Sequence, residues 1–70
     1  MDKISFKENL IELIKTHNLP QRELASAIGV SQRAVSKWII GQSEPTATNI
    51  FKLCKFFDVS ADYLLGLSDI

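Results

Sequence analysis

Cysteine occurs once in this 70-residue chain, at Cys54. No internal disulfide can therefore staple it, and a reducing compartment is expected. Histidine also occurs once, at His17, which leaves too few imidazole and thiol groups for a zinc site or a nucleophile–base–acid triad. No apolar run approaches the ~18 residues that span a membrane. Met1-Asp2-Lys3-Ile4-Ser5 lacks the apolar core of a signal peptide. Charge of either sign is in balance, with eight basic and eight acidic side chains. These scarcities point away from an enzyme, a metalloprotein and a membrane protein, and the sequence makes no cofactor or small-molecule ligand evident. They fit one cytoplasmic domain spanning residues 1–70.

The neutral total lacks the basic footprint of most nucleic-acid binders. The charges are nevertheless polarised along the chain. Residues 1–43 hold Lys3, Lys7, Lys15, Arg22, Arg33 and Lys37 against four acids, Asp2, Glu8, Glu12 and Glu23. Residues 44–70 hold Lys52 and Lys55 against Glu44, Asp58, Asp62 and Asp69. The first part carries an excess of two positive charges and the second an excess of two negative ones.

Glycine and proline are few, and each falls at a joint. Gly29, Gly41 and Gly66 follow apolar-periodic runs, where a helix ends in a residue of positive φ. Pro20 and Pro45 precede new runs. Five helices are predicted from these marks. The first spans roughly Ser5 to His17, opened by a Ser5-Phe6-Lys7-Glu8 capping box, with Phe6, Leu10, Leu13 and Ile14 on its inner face. The second covers about Gln21 to Ile28, burying Leu24, Ala25 and Ile28. Ser31 caps a third that runs to Ile40. The fourth extends from near Thr46 to near Phe57, with Ile50, Leu53, Cys54 and Phe57 inside. Ser60 caps a short fifth that contributes Tyr63 and Leu64. No period-2 alternation of useful length occurs, so the class is all-α.

Residues 21–40 carry the most information. Two short helices joined by Gly29-Val30-Ser31 must cross steeply, with Ala25 and Gly29 small at the close approach. Leu24, Ile28, Val30, Val35 and Trp38 form the expected wedge between them. At about 100° per residue, Ala34, Val35, Trp38 and Ile39 take one half of the third helix. Gln32, Arg33, Ser36, Lys37 and Ile40 take the other. Such a front suits a DNA major groove, where Gln pairs with adenine, Arg or Lys with guanine, and Ser with several base edges. An ordinary solvated helix face carries the same residue types, and the wheel alone does not choose between them.

The stretch Leu19-Pro-Gln-Arg-Glu-Leu-Ala-Ser-Ala-Ile-Gly-Val-Ser-Gln-Arg-Ala-Val-Ser-Lys-Trp-Ile-Ile-Gly41 closely resembles the Cro- and phage-repressor-like (XRE-type) helix-turn-helix family. The likeness continues through Glu44-Pro45 and the closing Asp58-Val-Ser-Ala-Asp-Tyr-Leu-Leu-Gly66, so it covers nearly the whole chain. The resemblance implies a compact five-helix, lambda-repressor-like DNA-binding domain whose second and third helices form the helix-turn-helix. It implies base contacts by Gln32, Arg33, Ser36 and Lys37. It implies backbone contacts by Asn18, Gln21, Ser31, Gln42 and Ser43, with Gln21 also bracing the first recognition-helix side chain. Thr46 and Thr48 would offer hydroxyls and helix N-terminal amides to a phosphate, and Arg22 a Coulombic contact.

Two departures from the family stand out. Relatives usually have Ser or Thr where this chain has Pro20, which loses a side-chain cap but presets φ. Many relatives also pair Arg and Glu at the positions of Ile14 and Ile39, and two isoleucines are expected to replace that ion pair with an apolar contact.

The remaining residues read more plainly. Trp38 is expected in the core, Cys54 as an inward-facing residue of the fourth helix, and His17 as a solvated or dipole-satisfying helix end. Phe51, Phe56, Leu67 and Ile70 are left over once the core is filled, and together form a candidate homodimer surface. A two-fold dimer would present two recognition helices about 34 Å apart to palindromic double-stranded DNA. The expected function is a transcriptional regulator, most simply a repressor. An antitoxin of a toxin–antitoxin pair, or an interaction module that has lost DNA binding, are the alternatives.

Overall fold

The computed structural model describes residues 6–67. Ser5, and with it the expected capping box, lies outside the described residues, as does Ile70. The helices are α1 (Phe6–Thr16), α2 (Gln21–Ile28), α3 (Gln32–Ile40), α4 (Ala47–Phe57) and α5 (Ala61–Leu64), with no strand among the described residues. The protein is all-α, and the boundaries fall within about a residue of those expected.

Local chemistry sets those boundaries. Ser31 Oγ accepts from Ala34 N at 3.1 Å, Thr46 Oγ1 from Asn49 N at 3.2 Å, and Ser60 Oγ from Tyr63 N at 3.0 Å. Each satisfies an amide that a helix start leaves orphaned. Pro20 makes no side-chain cap; its φ of −65° and ψ of 143° start α2 by geometry alone, as expected for proline in this place. Helix α1 stops one residue short of His17 because Asn18 turns left-handed at φ 54°, and Leu19 N then reaches back to Ile14 O at 3.0 Å.

Of the two roles expected for Gly29, a positive-φ helix end and a small residue at a close approach, the second needs correction. A Cβ there would meet nothing nearer than Lys52 Nζ at 4.0 Å, so close packing does not demand glycine. The demand is conformational: φ is 76°, which costs an L side chain about 1–2 kcal/mol. Ala25, the other small residue expected at the crossing, is buried.

Every helix contributes to one core: Leu10 and Leu13 from α1, Leu24, Ala25 and Ile28 from α2, Val35 and Trp38 from α3, Leu53 and Phe57 from α4, and Leu64 from α5. Phe6, Ile14, Ile39, Ile50, Cys54 and Tyr63 are only partly buried and pack around it. Helix α3 rests on α1 and α2, while α5 bridges α1 and α4. Asn9, which the apolar periodicity passes over, is also buried. Its Nδ2 donates to Tyr63 O at 2.7 Å and joins residues 54 positions apart. A buried amide needs such a partner, and this one ties the first helix to the last.

Candidate nucleic-acid interface

Helix α3 is clamped from behind and free in front. Val35 and Trp38 are buried against the core, whereas Gln32, Arg33 and Lys37 are exposed on the opposite side. Ser36 lies at the edge of that face and is half-buried. Ile40 is exposed at the end of the helix. Burial of Trp38 at 4% exposure removes it as a stacking platform.

The hydrogen bond between the two helices differs from the one expected. Gln21, at the first position of α2, was expected to brace Gln32. Instead Ser36 Oγ donates to Gln21 Oε1 at 2.8 Å, across 15 residues. Ser36 is one helical turn further along α3 than Gln32 (four residues on, same side of the wheel), so the brace holds the middle of the helix rather than its tip. Gln32 is left exposed with its amide uncommitted among the described residues.

The expected phosphate-contacting residues Asn18, Arg22, Ser31, Gln42, Ser43, Thr46 and Thr48 all have exposed side chains. Ser31 and Thr46 accept from the backbone through their oxygens, so their hydroxyl protons stay available to an outside acceptor. Gly41, at φ 81°, ends α3, and Gln42 N and Ser43 N both turn back to Lys37 O, at 2.9 and 3.4 Å. Lys7 was not singled out from the sequence. A Cβ at Gly41 would meet its Cδ at 3.6 Å and its Nζ at 3.9 Å, which brings an α1 cation to the α3–α4 loop. Only the packing of α1 on α3 reveals it.

Outside this face the titratable groups are dispersed. No group of three or more His, Cys, Asp or Glu side chains able to hold a metal occurs among the described residues. His17 Nδ1 donates to Leu13 O at 2.9 Å, and its ring meets Phe57 edge-on at 5.1 Å. It serves the helix end and the core. Burial pushes the Cys54 thiol above its ordinary pKa, which disfavours the reactive thiolate. Of the leftover apolar residues, Phe51 and Phe56 come together, lining an open groove with Ile28, Gly29, Lys52 and Lys55. Leu67 is exposed but does not line that groove.

Two short helices, a glycine-ended joint, a braced second helix and a polar outward face define a helix-turn-helix unit. The chain belongs to the Cro- and phage-repressor-like (XRE-type) helix-turn-helix family: the helix-turn-helix family model matches residues 10–64. It is 39% identical over 63 residues to the HTH-type transcriptional activator BcrR of Enterococcus faecalis, covering 90% of this chain and 31% of that one. It is 34% identical over 59 residues to the antitoxin PezA of Streptococcus pneumoniae, covering 84% of this chain and 37% of that one. The P22 c2 repressor, solved in complex with a synthetic operator, superposes with a TM-score of 0.84 at 31% identity. That match covers 91% of this chain and 97% of the repressor chain. The family is one of DNA-binding transcriptional regulators. The chain spans only about a third of the length of BcrR and PezA. No helix among the described residues is long and apolar enough to cross a membrane.

Proposed function

We propose that residues 1–70 act as one sequence-specific DNA-binding unit of a transcriptional regulator, a repressor that places α3 in the major groove of an operator. The observation that carries this reading is the free face of α3: Gln32, Arg33 and Lys37 exposed opposite buried Val35 and Trp38. The likeness to an operator-bound repressor supports it. Base contacts by Gln32, Arg33, Ser36 and Lys37 specify sequence. Contacts to phosphates by Asn18, Gln21, Arg22, Ser31, Gln42, Ser43, Thr46 and Thr48 set register. The weak overall charge keeps non-specific binding low, because that term depends on neutralised phosphates.

Self-association through Phe51, Phe56 and Leu67, with Ile70 beyond the described residues, pairs two such units on a palindrome. Selection of bound DNA from a random pool tests both parts. Recovery of a palindrome, bound with an affinity that falls steeply as salt rises, is the expected result. An unenriched pool contradicts the reading. A second reading, as an antitoxin, rests on the likeness to PezA. It predicts that a toxin protein, rather than a second copy, covers the exposed phenylalanines.

A further inference from the structure

A serine hydroxyl has one proton to donate and two lone pairs to accept with, and a glutamine amide has a carbonyl at one end and two N–H donors at the other. In the Ser36–Gln21 bond the hydroxyl proton is directed at Gln21 Oε1, 2.8 Å away. What remains on Ser36 is acceptor-only. What remains at the nitrogen end of Gln21 is donor-only. The bond therefore does more than brace α3, because it fixes the hydrogen-bonding sign of both side chains.

The two signs match two different parts of a duplex. Phosphate oxygens only accept, so the Nε2 end of Gln21 suits a phosphate and carries no sequence information. Base edges in the major groove differ: adenine N6 and cytosine N4 donate, whereas guanine N7 and O6 and thymine O4 accept. Resting on the DNA-binding reading above, we infer that the Gln21–Ser36 pair is a polarity filter. With its proton committed, Ser36 reads an exocyclic amino group and selects adenine or cytosine at one operator position. Gln21 is a positioning residue for that choice as well as a phosphate ligand. A serine without this bond would rotate its hydroxyl and accept either sign.

Binding-site selection with five proteins tests the filter, each first checked for native helicity and melting. The intact chain is expected to favour adenine or cytosine at one position. Ser36→Ala flattens that preference, by about fivefold for one net hydrogen bond, and Ser36→Thr retains it. Gln21→Ala weakens binding to all sequences and admits guanine or thymine at the same position, because the proton is released. Gln21→Glu weakens binding more, through repulsion of phosphate, yet keeps the adenine or cytosine preference, because a carboxylate still accepts the proton. Replacing the selected adenine by purine, or the selected cytosine by its analogue lacking the amino group, costs the intact chain about fivefold and Ser36→Ala nothing. A preference for guanine or thymine at the Ser36-dependent position overturns the filter. So does selection by Ser36→Ala that matches the intact chain at every position. Failure of the intact chain to enrich any sequence would instead remove the DNA-binding reading on which the filter stands.

Discussion

Helices α3 and α4 are built alike and face the solvent differently. Each opens on a hydroxyl cap, Ser31 or Thr46, and each closes on a left-handed residue, Gly41 or Asp58. Each sends an aromatic and an aliphatic side chain into the same core, Trp38 with Val35 and Phe57 with Leu53. Their outer faces diverge: α3 exposes Gln32, Arg33 and Lys37, whereas α4 exposes Phe51 and Phe56 beside Lys52 and Lys55. The backs make both helices part of one fold, and the fronts suit them to different partners. A polar front of fixed geometry suits a hydrated duplex, and an apolar front suits another protein surface.

The largest expected effects test the shared backs. Trp38→Ala should cost about 3–5 kcal/mol and Leu53→Ala about 2–5 kcal/mol, read from denaturant midpoints. A domain of this size holds only about 3–5 kcal/mol in total, so both variants should be largely unfolded. A near-native midpoint for either would show that its helix is not anchored as its burial implies.

The junction of α1 with α3 gives the next largest effect. Ile14 and Ile39 are both partly buried against the core, on helices that pack together. Ile39→Glu should destabilise by somewhat less than the about 3–5 kcal/mol of a fully buried lone charge. Adding Ile14→Arg should recover most of the loss. Melting curves that show no recovery in the double variant would end the idea that the isoleucines stand in for an ion pair.

The fronts should then separate binding from stability. Arg33→Ala should cost about 1–3 kcal/mol of DNA binding and relax selection at one base, with the melting temperature unchanged. Changing Phe51 and Phe56 together to Ser should move the sedimentation coefficient to that of a monomer while altering monomer stability by little. If instead the phenylalanine variant stays associated and the Arg33 variant dissociates, the assignment of the two faces is reversed.

The smallest effects lie at the two C-terminal ends. Asp58 has φ 59° and Gly41 has φ 81°. Asp58→Gly should raise stability by under about 1 kcal/mol, and Gly41→Ala should lower it by about 1 kcal/mol. Equal responses at both ends would mean that φ is not what limits them.

Much of the fold was legible because its signals are local. Ser31, Thr46 and Ser60 act on amides three residues away, and Gly29 and Gly41 relieve strain at their own φ. The exposed front of α3 was legible for the same reason, since helical periodicity places Val35 and Trp38 opposite Arg33 and Lys37. Gln21 was recognisable as a brace, but its partner was not: Gln32 and Ser36 lie on the same side of α3, and only the seating of α2 chooses between them. Asn9 and Lys7 left no apolar signal, and their contacts with Tyr63 and Gly41 cross between helices.

The amino-acid order alone determined where the helices start and stop, which side of each turns inward, and that the chain is all-α. Those outcomes depend on interactions within a turn or two of the backbone. Tertiary packing alone decided that Asn9 meets Tyr63, that Lys7 lies at Gly41, and that the proton of Ser36 goes to Gln21. Hydrogen-bond direction and reach depend on how separate helices are seated against one another, and the spacing of residues along a single helix carries no record of that.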